Sequence, residues 1–466
     1  MIGWCCQKHF PQRAGIRDAR REALMRLISH PVRRLEGRIR VPGDKSISHR
    51  ALMLGAMAVG RTRIQGLLEA ADVDATAQAL THLGVQVERP APDLVVVQGV
   101  GVAGFDEPDR PLDLGNAGTG ARLLMGLLAG HPFTTFLTGD ESLRERPMAR
   151  VLEPLERMGA TFLTRSGGRL PLALTGTDEL VPIRHEQRVP SAQVKSAILF
   201  AGLHAPGRTV VVEPSPSRDH SERMLRHFGA EVEVVDDAAG GRTVALEGQP
   251  ELAAADVVVP ADPSSAAFPL VAALALPGSR VTLERIGNNP LRVGLLRTIE
   301  AMSDGLRLTA ERLENDEPVA DLEVRGGALE AVDVPAARAP SMIDEYPILA
   351  VGAACAAGES WLRGLGELRV KESDRLQAIA RGLAACGVDC ALSGDDLCIA
   401  GRAGRPPGGA TIDARHDHRI AMSFLVLGAL ADAPVTVDGA ETILTSFPGF
   451  ATLMNRLGAR IEEVGG

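Results

Sequence analysis

Lysine is rare in this chain: of its 50 Lys and Arg residues only Lys8, Lys45, Lys195 and Lys371 are lysines. Arginine keeps its charge almost anywhere, whereas a buried lysine can lose its proton, so sparing use of lysine marks places where general acid or base chemistry is expected. The last three sit in polar clusters, GDKS at Gly43, SAQVKS at Ser191 and VKESDR at Val370. GDKS lacks the glycine spacing of a phosphate loop. His49 and His418 lie in similar clusters, but neither has a histidine partner one helical turn away, and no zinc spacing occurs, so neither a metal nor a cofactor is implied.

Six apolar runs follow polar openings: SISHRALMLGAMAVG, NAGTGARLLMGLLAG, SAQVKSAILFAGL, DPSSAAFPLVAALAL, DEYPILAVGAACAAG and DHRIAMSFLVLGAL. Runs apolar on every face predict helices buried on all sides. Asp44, Asn116, Ser191, Asp262, Asp344 and Asp417 stand at their starts and are expected to cap them. Buried helix N-termini gather unsatisfied N–H groups and positive dipole ends, which bind anions. Six aimed at one cleft would hold small phosphorylated or carboxylated substrates.

These helices belong to a repeat. Each copy closes on a phrase such as LGVQV at Leu83, MGATF at Met158, FGAEV at Phe228, CGVDC at Cys386 and LGARI at Leu457, with a degraded copy at Met302, MSDGLRL. Strands alternating with helices argue an α/β fold, and six roughly even copies divide into two domains of three. Crossovers are expected at Pro42-Gly43 and at VVVPADPSS from Val257. This gives an N-terminal extension over 1–34, a domain over 44–260 with the N-terminal repeats, and a discontinuous domain over 35–43 and 261–466 with the C-terminal repeats.

The composition is ordinary for a globular enzyme, with 45% hydrophobic and 23% charged residues and only 3% aromatics. A net charge of -9 without a basic stripe argues against nucleic acid. The six cysteines show no CxxC spacing and are expected to be reduced, cytoplasmic thiols. No apolar run reaches the roughly 18 residues that span a bilayer. The Arg-rich stretch before Leu35 reads as a transit peptide, a disordered arm or a start misassigned ahead of Met25.

The clusters together resemble the enolpyruvyl transferase family, and within it the branch acting on shikimate 3-phosphate. PGDKSISHRALM at Pro42, LGNAGTGARL at Leu114, LRERPM at Leu143, SAQVKSA at Ser191, RDHSERML at Arg218, MIDEYP at Met342, VKESDRL at Val370 and DHRIAM at Asp417 occur in family order. The resemblance implies two similar domains, each of three βαβαββ repeats with buried parallel helices, an inside-out α/β barrel. It also implies transfer of the enolpyruvyl group of phosphoenolpyruvate to the 5-hydroxyl of shikimate 3-phosphate by a cytoplasmic monomer. By motif, Lys45, Ser46 and Arg50 would bind substrates. Asn116 and Gly118 would line the phosphoenolpyruvate pocket, and Arg146, Arg375 and Arg419 would clamp its anions. Ser191, Gln193, Arg218 and Lys371 would hold shikimate 3-phosphate. Asp344 would be the base at the attacking hydroxyl, with Lys45 and Glu372 the other proton carriers.

Two positions depart from the family. Thr445 stands in LTSFPGF where many members carry a lysine. Gly118 replaces the pocket alanine of a subgroup that often tolerates glyphosate, which implies sensitivity here. A UDP-N-acetylglucosamine enolpyruvyl transferase would carry a cysteine on a first-half loop, yet none lies between Cys6 and Cys355. A catalytically dead metabolite-binding repeat protein would have no need of both carboxylates and all three clustered lysines.

Overall fold

The computed structural model describes residues 25–464, so what is expected of residues 1–24 lies outside the described residues. All six apolar runs are helices: Lys45–Met57, Gly118–Leu128, Ala192–Gly202, Pro263–Leu274, Tyr346–Cys355 and His418–Leu430. Each is buried on nearly all sides, the only arrangement that takes every apolar face out of water. Close approach is built in: a Cβ on Gly126 would lie 2.3 Å from the Ala197 carbonyl oxygen of the neighbouring helix.

Around the inner helices stand six four-stranded sheets of one pattern. In the first, the edge strand Val257–Val258 runs parallel to Val59–Gln65, which follows an inner helix, and Leu94–Val100 and Gln86–Ala91 complete the sheet antiparallel. An outer helix precedes a hairpin in five repeats and the single strand Arg460–Glu463 in the sixth, and in all but one the glycine of the closing phrase ends that helix. Gly84, Gly159, Gly229, Gly387 and Gly458 all have positive φ (87°, 121°, 94°, 74° and 102°), a conformation that costs glycine least. The degraded copy differs here, because its helix Gly294–Met302 ends at Ser303 in extended conformation and needs no such glycine.

The two crossovers lie side by side. Asp44 N–H donates to the Pro260 carbonyl (2.8 Å) and Asp262 N–H to the Pro42 carbonyl (2.9 Å). The hydrophobic core falls into two clusters, one from Ile47 to Val259 and one joining Leu27–Val41 to Ala261–Ile461. The extension expected over 1–34 is therefore too long. Strand Arg26–His30 sits between Val435–Asp438 and Arg460–Glu463, antiparallel to both. Those two strands are the last among the described residues, and Arg26–His30 takes the sheet position that a following hairpin strand fills in the other repeats.

Capping also departs from expectation. Asp44, Ser191, Asp262 and Asp417 accept hydrogen bonds from the first turns of their helices, but Asn116 and Asp344 cap nothing. Arginines draw both side chains away, as described below.

Two buried histidines make the fold acid-sensitive. Burial pushes His49 down to about 3, helped by Lys45 and Arg50, and pushes His204 down to about 3, helped by His131. Between the ordinary value near 6.5 and these depressed values only the unfolded chain takes up the protons. The contribution is therefore complete above about pH 6.5 and is lost as pH falls toward about 3, by up to ~1.4 kcal/mol per pH unit for each ring. Urea denaturation at neutral and mildly acidic pH should show this decline, and His204→Gln should make it shallower. An unchanged slope in that variant would remove His204 from the account.

Among the described residues no helix is long and apolar enough to cross a membrane.

Candidate active site

The starts of five inner helices and the loops beside them meet between the two cores. On the first-core side, Lys45 opens its helix and its ammonium pairs with Asp72. Three hydrogen bonds fix Arg50 under it: Nη1 to the Ser46 carbonyl (2.8 Å), Nε to Ser221 Oγ (2.7 Å) and Nη2 to Ser196 Oγ (2.8 Å). Burial, more than any neighbour, lowers the Arg50 guanidinium to about 10. Asn116 does not cap because its carbonyl oxygen accepts from Arg146 Nη2 (2.6 Å) while its amide donates to Asp140 (2.7 Å). Ser191 caps the third inner helix, and Gln193 reaches across to Thr119 Oγ1 (2.9 Å).

Gly118 is tightly enclosed. A Cβ there would lie 2.7 Å from Arg146 Nη1 and 3.1 Å from Arg122 Nη1. Arg122 is drawn down to about 10 by burial first and by the Arg146 charge second.

On the other side Asp344 collects cations. Its carboxylate lies 2.7 Å from Arg218 Nη2, 3.3 Å from Arg375 Nη1 and 3.7 Å from Lys371 Nζ, while its carbonyl accepts from Arg419 Nη1 (2.9 Å). Burial alone would raise its pKa, but Lys371, Arg419, Arg218 and Arg375 outweigh burial and hold it well below the usual carboxylate range. Glu372 behaves alike: burial is opposed by Arg375 and Arg146, and the carboxyl stays strongly acidic. Burial lowers the Lys371 ammonium, against the pull of Asp344 and Glu372.

Arg375 is fully buried, and three carboxylates occupy its guanidinium: Glu372 at 2.5 Å, Asp417 at 2.8 Å and Asp344 at 3.3 Å. Contacts also join the two sides of the cleft, for Arg218 and Asp344 belong to different cores, and Arg146 Nη1 lies 3.8 Å from Glu372 Oε1. The cleft can thus grip two anions and move protons between partly buried carboxylates and ammonium groups.

Sequence reasoning singled out one residue for the wrong reason and missed others. Lys195 stands apart from the cleft chemistry: it is fully buried between Glu213 and Glu222, and although burial alone would lower its pKa, those carboxylates raise it, so it keeps its proton. Asp72 was missed because an aspartate in a helix's first turn is commonplace. Burial raises its pKa against the Lys45 charge. Arg122, Glu345, whose Oε1 lies 3.7 Å from Arg419 Nη1, and His418 were missed as site members too; burial and then Lys45 and Arg419 hold His418 neutral, well below its usual range. Among the described residues no group of three potential ligands could hold a metal ion.

Comparison with known proteins adds independent findings. The model of the family described as EPSP synthase (3-phosphoshikimate 1-carboxyvinyltransferase) matches residues 29–454. A protein named 3-phosphoshikimate 1-carboxyvinyltransferase from Rhodospirillum rubrum is 59% identical over 442 residues, covering 94% of this chain and 98% of that protein. One of the same name from Granulibacter bethesdensis is 58% identical, covering 95% and 96%. The structure of EPSP synthase from Acinetobacter baumannii superposes with a TM-score of 0.84 at 42% identity, covering 94% of this chain and 99% of that one. The enolpyruvyl transferase NikO from Streptomyces tendae, 19% identical, shares the fold with a TM-score of 0.76 over 95% of this chain and 99% of its own.

Proposed function

The chain belongs to the EPSP synthase (3-phosphoshikimate 1-carboxyvinyltransferase) family, and from that membership we infer which of its residues do the chemistry. The enzyme transfers the enolpyruvyl group of phosphoenolpyruvate to the 5-hydroxyl of shikimate 3-phosphate and releases phosphate, a step of the shikimate pathway to aromatic amino acids. The hydroxyl oxygen adds to C2 of phosphoenolpyruvate as C3 takes a proton. C3 then gives a proton back while the C2–O bond to phosphate breaks. One proton leaves oxygen and one enters and later leaves carbon, so at least two proton carriers are needed.

In our proposal Arg146, Arg375 and Arg419, with Lys45, Asn116 and Gly118, hold the carboxylate and phosphate of phosphoenolpyruvate. Ser46, Arg50, Ser191, Gln193, Arg218 and Lys371 hold shikimate 3-phosphate. Asp344 is the base at the hydroxyl, and Lys45 and Glu372 serve C3. The convergence of Arg218, Lys371, Arg375 and Arg419 on Asp344 carries this assignment. A carboxylate so strongly stabilised is a weak base, but two of the cations stabilising it, Arg218 and Lys371, are those assigned to the acceptor's anions. Binding would draw their charge away from Asp344 and raise its pKa toward the range where it can take a proton. The same two residues would bring the two sides of the cleft together on the acceptor. We further propose two domains, 44–260 and a discontinuous one on either side of it, in a cytoplasmic monomer. The net charge of -9 supports a protein that takes small molecules and no nucleic acid.

Phosphate release tests the proposal: it should require both substrates, and UDP-N-acetylglucosamine should not replace shikimate 3-phosphate. The pocket makes a sharper prediction. Gly118→Ala should weaken glyphosate inhibition by about tenfold or more, since the new methyl displaces Arg146 and Arg122, and should raise KM for phosphoenolpyruvate several-fold while sparing that for shikimate 3-phosphate. Wild-type activity persisting in millimolar glyphosate at ordinary phosphoenolpyruvate would overturn it.

A further inference from the structure

We infer that Lys195, Glu213 and Glu222 are positioning residues for shikimate 3-phosphate: a buried ion frame that sets Arg218 and the helix start at Ser191 in register with Lys45–Arg50. It rests on the assignment of Arg218 and Ser191 to that substrate. Lys195 Nζ lies 2.7 Å from Glu213 Oε2 and 2.7 Å from Glu222 Oε1, with all three side chains essentially excluded from solvent. Glu213 ends strand Arg208–Glu213 and Glu222 lies in helix His220–His227, so the frame brackets the loop Pro-Ser-Pro-Ser-Arg-Asp that carries Arg218. Pro214 and Pro216 deprive that loop of two N–H donors, and it depends on side-chain ties instead. Ser217 supplies them: its hydroxyl donates to Glu213 Oε1, its N–H to Glu213 Oε2 (3.4 Å), and its carbonyl accepts from Lys195 (3.4 Å).

On its other flank the frame meets Arg50. Ser196, the next residue after Lys195, and Ser221, the residue before Glu222, are 2.7 Å apart, and both accept from Arg50. Arg50 in turn holds the Ser46 carbonyl. Two cations and two carboxylates leave no net charge, which such burial requires. Apolar residues would pack this space at least as stably, so what the ions supply is a fixed geometry linking three substrate-binding segments.

Calorimetric titration of the full-length enzyme with shikimate 3-phosphate tests this. Lys195→Met should weaken binding about tenfold or more, with KM for phosphoenolpyruvate within about twofold, and in an Arg218→Ala background the same change should cost less, about threefold, because one of the contacts it positions is gone. Ser217→Ala leaves the ions intact and should weaken binding in the same direction, which keeps the test open should Lys195→Met fail to fold. Arg218→Ala weakening binding while Lys195→Met or Ser217→Ala does not, or fully additive losses, overturns the frame alone. Unchanged binding in Arg218→Ala overturns the assignment of Arg218 and, with it, the frame's route of action.

Discussion

Lys45→Met should fold like the wild type and lose turnover by roughly three to four orders of magnitude, the range that removal of a proton carrier produces. Methionine keeps the aliphatic stem, and the lysine lies at the first turn of its helix with its side chain 21% exposed, so little packing is lost. The danger is Asp72, left buried without its ion partner. Burial already raises its pKa, with Lys45 the chief opposing charge, so in the variant it takes up a proton instead of remaining as a buried anion. Melting temperature should therefore fall only slightly, and adding Asp72→Asn should leave both turnover and stability where Lys45→Met put them. Wild-type-like phosphate release in Lys45→Met would end the assignment.

Asp344→Asn should lose turnover on a similar scale, ~10³-fold or more, with a distinctive binding signature. Asparagine preserves shape and accepts a hydrogen bond from Arg218, but it cancels the charge around which four cations gather. The freed cations repel one another, so the ligand-free variant should be less stable. They also attract anions more strongly, so shikimate 3-phosphate should bind as tightly as before or more tightly, and its addition should restore much of the lost melting temperature. A purely structural role for Asp344 predicts weakened binding together with weakened turnover. That outcome, in equilibrium titration beside steady-state kinetics, would refute its role as the base.

The features legible in the sequence were those with a local signature. The apolar runs announced buried helices because no face of them was polar, and the Leu-Gly phrase announced the repeat because one backbone conformation recurs at Gly84, Gly159, Gly229, Gly387 and Gly458. Side chains answering to distant partners were harder to read. Asn116 and Asp344 stand where caps stand, yet Arg146 and Arg218 claim them, the latter from 126 residues away. Lys195 looked like its two catalytic-looking counterparts until two carboxylates closed around it. Strand Arg26–His30 is five residues long and pairs with residues more than 400 positions on, so nothing near it in sequence signals its place. Asp72 became notable only because Lys45 lies against it.

That first strand has a consequence for how the protein is made. A ribosome releases Arg26–His30 and Glu36–Ile39 before any of their partners exist: the second pairs with Arg280–Gly287, and the first with strands ending at Asp438 and Glu463. The stretch from Ile47 to Val259 has its own core and can collapse as soon as it emerges, while the two early strands trail from it unpaired. Nascent chains stalled after about residue 260 should thus contain one protease-resistant body with a cleavable N-terminal tail. Protection of that tail marks the moment the C-terminal strands arrive, so the other half of the molecule is sealed only when synthesis is nearly complete.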